Sequence, residues 1–323
     1  MFYLGIDVSK AKLHACLLNA EGTSTTKVVD NSPPGIIRLL AWTVRHGAPA
    51  AQVHAVMEAT GVYHDVAAHA LFEAGVTVSI VNPAQAKDFA RGLAVRTKTD
   101  GVDGHILARL GALLKPPAWQ PPDPAVRDLQ ALLTRRDAVA QDLRREHNRR
   151  EKALATATPP RVQQSIDAAI AFLEKELGQL QQDINDHINR HPGLKDDLAL
   201  LISIPAVGPQ VGSHLLAVLH RHDFQSAEQV AAYLGLVPVE RQSGTSLHGR
   251  PHLSKAGPAR VRAGLYLAAV VAIRYNPHIK ALYERLLARG KAKKAALGAA
   301  MRKLVHLCFG VLKNRQPYQA DYA

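Results

Sequence analysis

The first 115 residues alternate short apolar runs with helical patterns, and that alternation most narrows the folds open to the chain. FYLGIDV, KLHACLL and TTKVV read as three strands in succession. A helical stretch follows from Pro34 to His46, and VHAVMEA reads as a further apolar strand. Tyr63 to Ala74 predicts a helix, VTVSIV a strand, Gln85 to Gly92 a short helix, and Val102 to Leu114 a longer one. A three-strand start followed by α/β crossovers predicts an α/β domain on a mixed sheet with flanking helices. It ends at Lys115, Pro116 and Pro117, where the proline-rich run to Pro124 predicts a domain boundary.

From Asp123 to Arg190 charged residues alternate with leucines and alanines at helical spacing, which predicts two long helices broken near Pro159 and Pro160. Their narrow apolar stripes suit a coiled-coil hairpin, a dimer seam or a solvated spacer. From about Leu198 to Lys313 the pattern is mostly helical, so the chain divides into regions 1–118, 119–192 and 193–323.

The formal charge is +13, which favours a polyanionic partner, and its distribution locates that partner's surface. Between Arg241 and Arg315 there are 16 Lys or Arg and one acid, Glu284, so this stretch alone carries +15 and the remainder is about neutral. The two cysteines, Cys16 and Cys308, stand far apart inside apolar runs and offer no zinc spacing, which predicts reduced, buried thiols and a cytoplasmic setting. No basic leader precedes the first strand, and no apolar run reaches the ~18 residues of a membrane span, so no membrane partner is expected.

Asp7 ends the first strand in GIDVSK, and Glu58 ends a later one in VMEATG. Asp100 and Asp103, in TDGVDGHILARL, are three residues apart and share one face at a helix start. Four carboxylates meeting at one sheet edge repel one another unless a hard cation neutralises them, and Mg²⁺ or Mn²⁺ suits oxygen donors. Two such ions about 4 Å apart would favour phosphoryl transfer. Taken singly, each acid also suits a helix cap or a turn. GIDVSK also resembles the phosphate-binding start of actin-like kinases, but the second glycine-rich loop of those folds is missing from the sequence.

IPAVGPQVGSHLLAVL, from Ile204, resembles a helix-hairpin-helix turn in which Gly208 and Gly212 let backbone amides approach a DNA phosphate; a tight turn between packed helices reads the same way. Further on, Ser243 precedes a glycine and lies among Arg241, His248, Arg250, Lys255, Arg260 and Arg262. An attacking serine must be exposed, deprotonated and faced by cations, and this loop offers the first and third conditions. Ser246 and Ser254 compete for the role, and a loop serine bonded to its own backbone has the same sequence signature. A helix from Pro258 to Ile273 is expected to hold the basic loop against a core through Leu265, Leu267 and Val270 or Val271. KAKKAALGAAMRKLVHLCFGVL predicts an amphipathic helix with a basic front.

GIDVSK, VMEATGVYH, KTDGVDGHILARL, IPAVGPQVG and the run from AAYLGLVPVERQSGTS through GRPHLSKAGPARVRAGLYLAA occur in the order that insertion sequence 110 family transposases show, and the chain resembles that family over nearly its whole length. The resemblance implies a RuvC-like, ribonuclease-H-type N-terminal domain, a coiled-coil connection and a C-terminal transposase domain. It implies that Asp7, Glu58, Asp100 and Asp103 bind metal and that Ser243 is the nucleophile of a covalent phosphoserine intermediate. It further implies a homo-oligomer, dimer or tetramer, whose active sites combine domains of different subunits. Donor and target DNA would be chosen through base pairing with a structured guide RNA. A RuvC-type junction nuclease that only cuts, and a non-catalytic nucleic-acid-binding protein, are the alternatives the residues leave open.

Overall fold

The computed structural model describes residues 1–59, 61–93, 100–240, 242–243, 247–248 and 251–320; of Asp100, of 242–243 and of 247–248 it describes the backbone only. By contact density the chain divides into two compact units, Met1–Pro121 and Pro122–Ala323.

In the first unit β1 (Phe2–Val8), β2 (Lys12–Leu18) and β3 (Ser24–Asp30) form an antiparallel meander. Its first turn closes on Ser9, whose hydroxyl accepts from the Lys12 amide at 3.0 Å and donates to the Lys12 carbonyl at 2.9 Å. Ser32 caps α1 (Pro33–Arg45) by accepting from the Gly35 amide, and the helix leads to β4 (Val53–Glu58), parallel to β1. α2 (His64–Glu73) then leads to β5 (Thr77–Val81), parallel to β4. The sheet order is β3-β2-β1-β4-β5, a mixed sheet with flanking helices, as the strand and helix pattern of the sequence predicts. Leu4, Ile6, Leu39, Met57 and Leu71 form the core between one face and helices α1 and α2. Two further helices, α3 (Pro83–Gly92) and α4 (Asp100–Leu114), supply the opposite side, where Val56, Val81, Ala86, Leu107 and Leu110 pack together.

The second unit opens with α5 (Pro124–Ala155), capped by Asp123, and α6 (Pro160–Arg190). They form an antiparallel hairpin: His187 meets the Ala125 carbonyl at 2.8 Å near its base, and His147 faces Glu174 at 3.8 Å farther along. Val126, Leu129, Leu133, Ile184 and Ile188 sit in the same core as the later helices, whereas Leu154 and Phe172, toward the tip, are exposed. The later helices begin with α7 (Pro192–Ile202), α8 (Pro209–Arg221) and α9 (Ala227–Tyr233).

A departure from the expected helical run comes next. β6 (Pro238–Val239) pairs with β9 (His252–Leu253), and between them β7 (Gln242–Ser243) pairs with β8 (Leu247–His248), so the basic segment is a nested antiparallel ribbon. α10 (Ala259–Tyr275), α11 (Pro277–Ala288) and α12 (Lys293–Asn314) complete the unit. On α10 the buried stripe is Val261, Leu265, Ala268, Ala269 and Ala272, while Leu267, Val270 and Val271 are exposed, contrary to expectation. The 3.6-residue period explains it: positions three, four and seven from Leu265 share its face, and Leu267 lies nearly opposite. α12 is long and apolar enough by length and composition to cross a membrane, although Arg302 and Lys303 interrupt its apolar run. Half of its apolar window is buried, with Leu304, Val305 and Cys308 in the core of the second unit.

Candidate active site

The acidic edge is built by two glycines before any acid is considered. A Cβ at Gly5, in mid β1, would stand 2.0 Å from the Gly104 carbonyl oxygen and 2.3 Å from the Ala108 nitrogen, so helix backbone lies directly on strand backbone. A Cβ at Gly104 would stand 3.0 Å from the His14 carbonyl oxygen. At the other end of α4, a Cβ at Gly111 would meet Val56 at 2.7 Å and Tyr3 at 3.0 Å. The helix therefore runs down the sheet from the C-terminal end of β1 toward its start, and its first turn, with Asp100 and Asp103, lies where the parallel strands end.

Asp7 and Glu58 occupy that same end. The β1–β4 register pairs Gly5 with Val56 and Ile6 with Met57, so Asp7 and Glu58 come one residue later on strands about 4.8 Å apart. Alternation places Asp7 on the face of Gly5 and Glu58 on the face of Val56, and both of those positions meet α4. Asp7, Glu58 and Asp103 are half-buried. The donor set is carboxylate oxygen, which fits a hard divalent cation. Among the described residues no three His, Cys, Asp or Glu side chains are gathered closely enough to hold an ion. The side chain of Asp100 lies outside the described residues.

Two neighbours escape a reading by motif. His14 is the direct cross-strand partner of Asp7, which puts the two side chains on one face. Cys16, behind them, has its Sγ 3.6 Å from Nδ1 of His105, and burial pushes its thiol up despite a hydrogen bond from Ser24. Only the register of β1 against β2 singles out His14, and a single strand does not contain it.

In the second unit Ser243 stands at the last described pair of the ribbon, opposite Leu247, and the three residues that follow it lie outside the described set. Arg241, Arg250 and Ser246 also lie outside it. Ser254 is a poor competitor: its hydroxyl oxygen is buried and without a hydrogen-bond partner among the described residues. Lys255 is exposed with φ +57. Arg260 binds Gln141 at 2.6 Å and Asp137 at 3.4 Å, both on α5. Burial raises the Asp137 carboxyl, but His214, Arg136 and Arg260 outweigh it and hold the group below its usual range. Arg262 directs Nη1 to the main-chain oxygens of Leu234, Ala256 and Gly257, fastening the end of the ribbon segment to α9. At the turn between α7 and α8, Gly208 is the uncapped N-cap of α8, and Gly212 is packed against Leu198, where a Cβ would come within 3.0 Å. Helix packing thus accounts for Gly212, while Gly208 faces open space.

Comparison with known proteins agrees along the chain. Residues 4–159 match a transposase family model of the DEDD, IS110 type, and residues 198–284 match the model for the transposase IS116/IS110/IS902 family. The chain is 34% identical over 319 residues to the pilin gene-inverting proteins of Moraxella lacunata and Moraxella bovis, covering 98% of this chain and 97% of each relative. It is 28% identical over 166 residues to a 43.6 kDa protein of insertion element IS110 from Streptomyces coelicolor, covering 51% of this chain and 40% of that one. Among solved structures, T. thermophilus RuvC in complex with a Holliday junction substrate is 19% identical with a TM-score of 0.27, covering 35% of this chain and 92% of that one.

Proposed function

The chain belongs to the IS110 family of transposases, enzymes of DNA recombination, and from that premise we propose that it cuts and rejoins DNA through a covalent bond to Ser243. The observation that supports the acidic half of this reading is the close approach of α4 to β1 through Gly5 and Gly104, which brings the start of α4 to the strand ends bearing Asp7 and Glu58, while the role of Ser243 rests on the family kinship.

The Ser243 hydroxyl attacks a backbone phosphorus, a serine–phosphate ester forms, the bond to the 3′ oxygen breaks, and the serine proton passes to that leaving oxygen. Rejoining reverses this: a 3′ hydroxyl of another strand attacks the ester and serine regains its proton. Asp7, Glu58, Asp100 and Asp103 would hold divalent metal, Mg²⁺ or Mn²⁺, which when bound supplies charge for the attacking and leaving oxygens. The acids' own contribution is to fix that charge at a rigid sheet edge. Arg241, Arg250, Lys255 and Arg260 hold phosphates around the serine, and the Gly208 turn approaches the backbone from α8. The name of the Moraxella relatives supports an outcome in which a DNA segment is inverted. By kinship the protein works as a homo-oligomer, with α5 and α6 as a coiled-coil connection between regions 1–118 and 193–323. A structured RNA encoded beside the element then selects donor and target DNA by base pairing.

The test combines purified protein, Mg²⁺, flank-derived RNA and labelled donor and target DNA, resolved on denaturing gels. A protein-linked DNA species is expected with the wild type and is absent with both Ser243→Ala and Asp100→Asn. DNA that is cut but never linked to protein makes the enzyme a junction nuclease and removes the role given to Ser243.

A further inference from the structure

We propose that a cavity of the second unit, at the root of the ribbon carrying Ser243, receives a single nucleotide of the DNA strand extruded from its stack. The inference rests on the reading that Ser243 engages a DNA strand. The cavity measures about 520 Å³, within the roughly 300–1,000 Å³ typical of sites that enclose a small ligand. It lies between the paired strands β6 and β9 and the start of α12.

Its walls divide by chemistry. Leu236, Pro238, Leu253 and Leu286 make an apolar side, with Gly298 on α12 leaving room: a Cβ there would touch Leu253 at 3.5 Å. Lys291, Lys294 and Arg302 bring three cations to the same space, and no acid is found among its described lining residues. An apolar wall takes the face of a base, and cations take the phosphates on either side of it. A neutral apolar ligand would make no use of the three cations, of which Lys291 and Lys294 are exposed and Arg302 is half-buried, and a bare phosphate would leave the apolar wall wet. A nucleotide in a strand satisfies both.

The position fits a strand held by Ser243. Val239, at the ribbon's root, and Ser243 are four residues apart in sequence, which bounds their separation at about 14 Å, or about four stacked nucleotide steps of ~3.4 Å. Extrusion close to a cleavage phosphate would unstack the strand there and fix which phosphate faces the serine.

The experiment uses the full chain in chelator, so that no cutting occurs, with single-stranded DNA carrying 2-aminopurine at each position in turn. A several-fold rise in fluorescence is expected at one position, because unstacking relieves quenching. Ala299→Phe, which fills the cavity from α12, should abolish the rise while DNA affinity by anisotropy changes less than about threefold. Lys294→Ala should weaken affinity and lower the salt slope by about one. If Ala299→Phe is unfolded by circular dichroism, Ala295→Phe, on the exposed first turn of the same helix, is used instead. No rise at any position, a rise insensitive to the filled cavity, or a rise with RNA oligonucleotides alone overturns the proposal. Ser243→Ala must keep the rise; if it also keeps full strand joining, the serine reading fails while the cavity stands.

Discussion

Gly5 bears more on the acidic edge than its lack of a side chain suggests, because α4 can lie on β1 only where no Cβ intervenes. In Gly5→Ala the new carbon meets backbone atoms of Gly104 and Ala108, which cannot rotate away. Overpacking of this kind costs about 1–3 kcal/mol, so thermal unfolding should move down by several degrees. DNA cleavage should fall further than stability alone explains, since α4 carries half the acids; a stable but fully active Gly5→Ala protein contradicts the site as described. Asp7→Asn keeps the shape and removes one charge. Strand cleavage should drop about 10²–10³-fold or more, with DNA affinity by gel shift unchanged. His222 supplies a pH dependence of a different kind. Burial, with Arg221 beside it, lowers its pKa from 6.5 to about 4, and its ring packs on Phe224 and Tyr233. The folded state therefore refuses a proton that the unfolded chain accepts. The stability this costs is absent above pH 6.5 and grows as pH falls toward 4, to about 3 kcal/mol at most. Urea midpoints should fall less across that window in His222→Phe, which keeps the ring and loses the titration.

At the scale of elements, the first unit was legible because period and burial agree: FYLGIDV and VHAVME each supply a strand whose apolar positions face a core, and the order of strands and helices leaves few topologies. The ribbon was not legible, since β6 to β9 are two residues long each, too short for an alternating pattern to show. Its anchoring was hidden for the same reason. Gly257, at φ +68, lies so close to α9 that a Cβ would stand 2.0 Å from the Tyr233 carbonyl oxygen, and Arg262 fastens that approach. Read as a sequence, Arg262 was one more cation for DNA; in the fold its Nη1 serves three carbonyls. Hydrogen bonds from a charged donor contribute about 1.5–3 kcal/mol when they are not exposed, and Arg262 is half-buried, so Arg262→Lys should cost less than that range but still lower the thermal midpoint. The slope of log affinity against log salt should stay within experimental error of the wild type. A slope reduced by about one would instead return Arg262 to the phosphate contacts.

For the whole molecule the proposed chemistry divides between the two compact units: the four candidate metal-binding acids, Asp7, Glu58, Asp100 and Asp103, belong to Met1–Pro121, and the proposed nucleophile, Ser243, belongs to Pro122–Ala323. Each unit has its own apolar core, so a substitution at one group leaves the other unit's folding intact. Charge follows the same division, with +15 between Arg241 and Arg315 against a remainder that is about neutral, so binding and metal-dependent cutting should separate by mutation. Kinship further predicts sites assembled between copies, and this is testable without knowing their arrangement. Asp7→Asn and Ser243→Ala proteins, each expected to be inactive alone, are mixed under conditions that let subunits exchange. If a site takes its acids from one copy and its serine from another, a two-copy assembly with one chain of each kind contains one intact site and one doubly damaged site. Roughly half of randomly formed pairs are mixed in this way, so strand joining should return to a sizeable fraction of the wild-type level. If both groups must come from the same chain, no mixed pair contains an intact site, and joining stays at the level of the single variants at every mixing ratio.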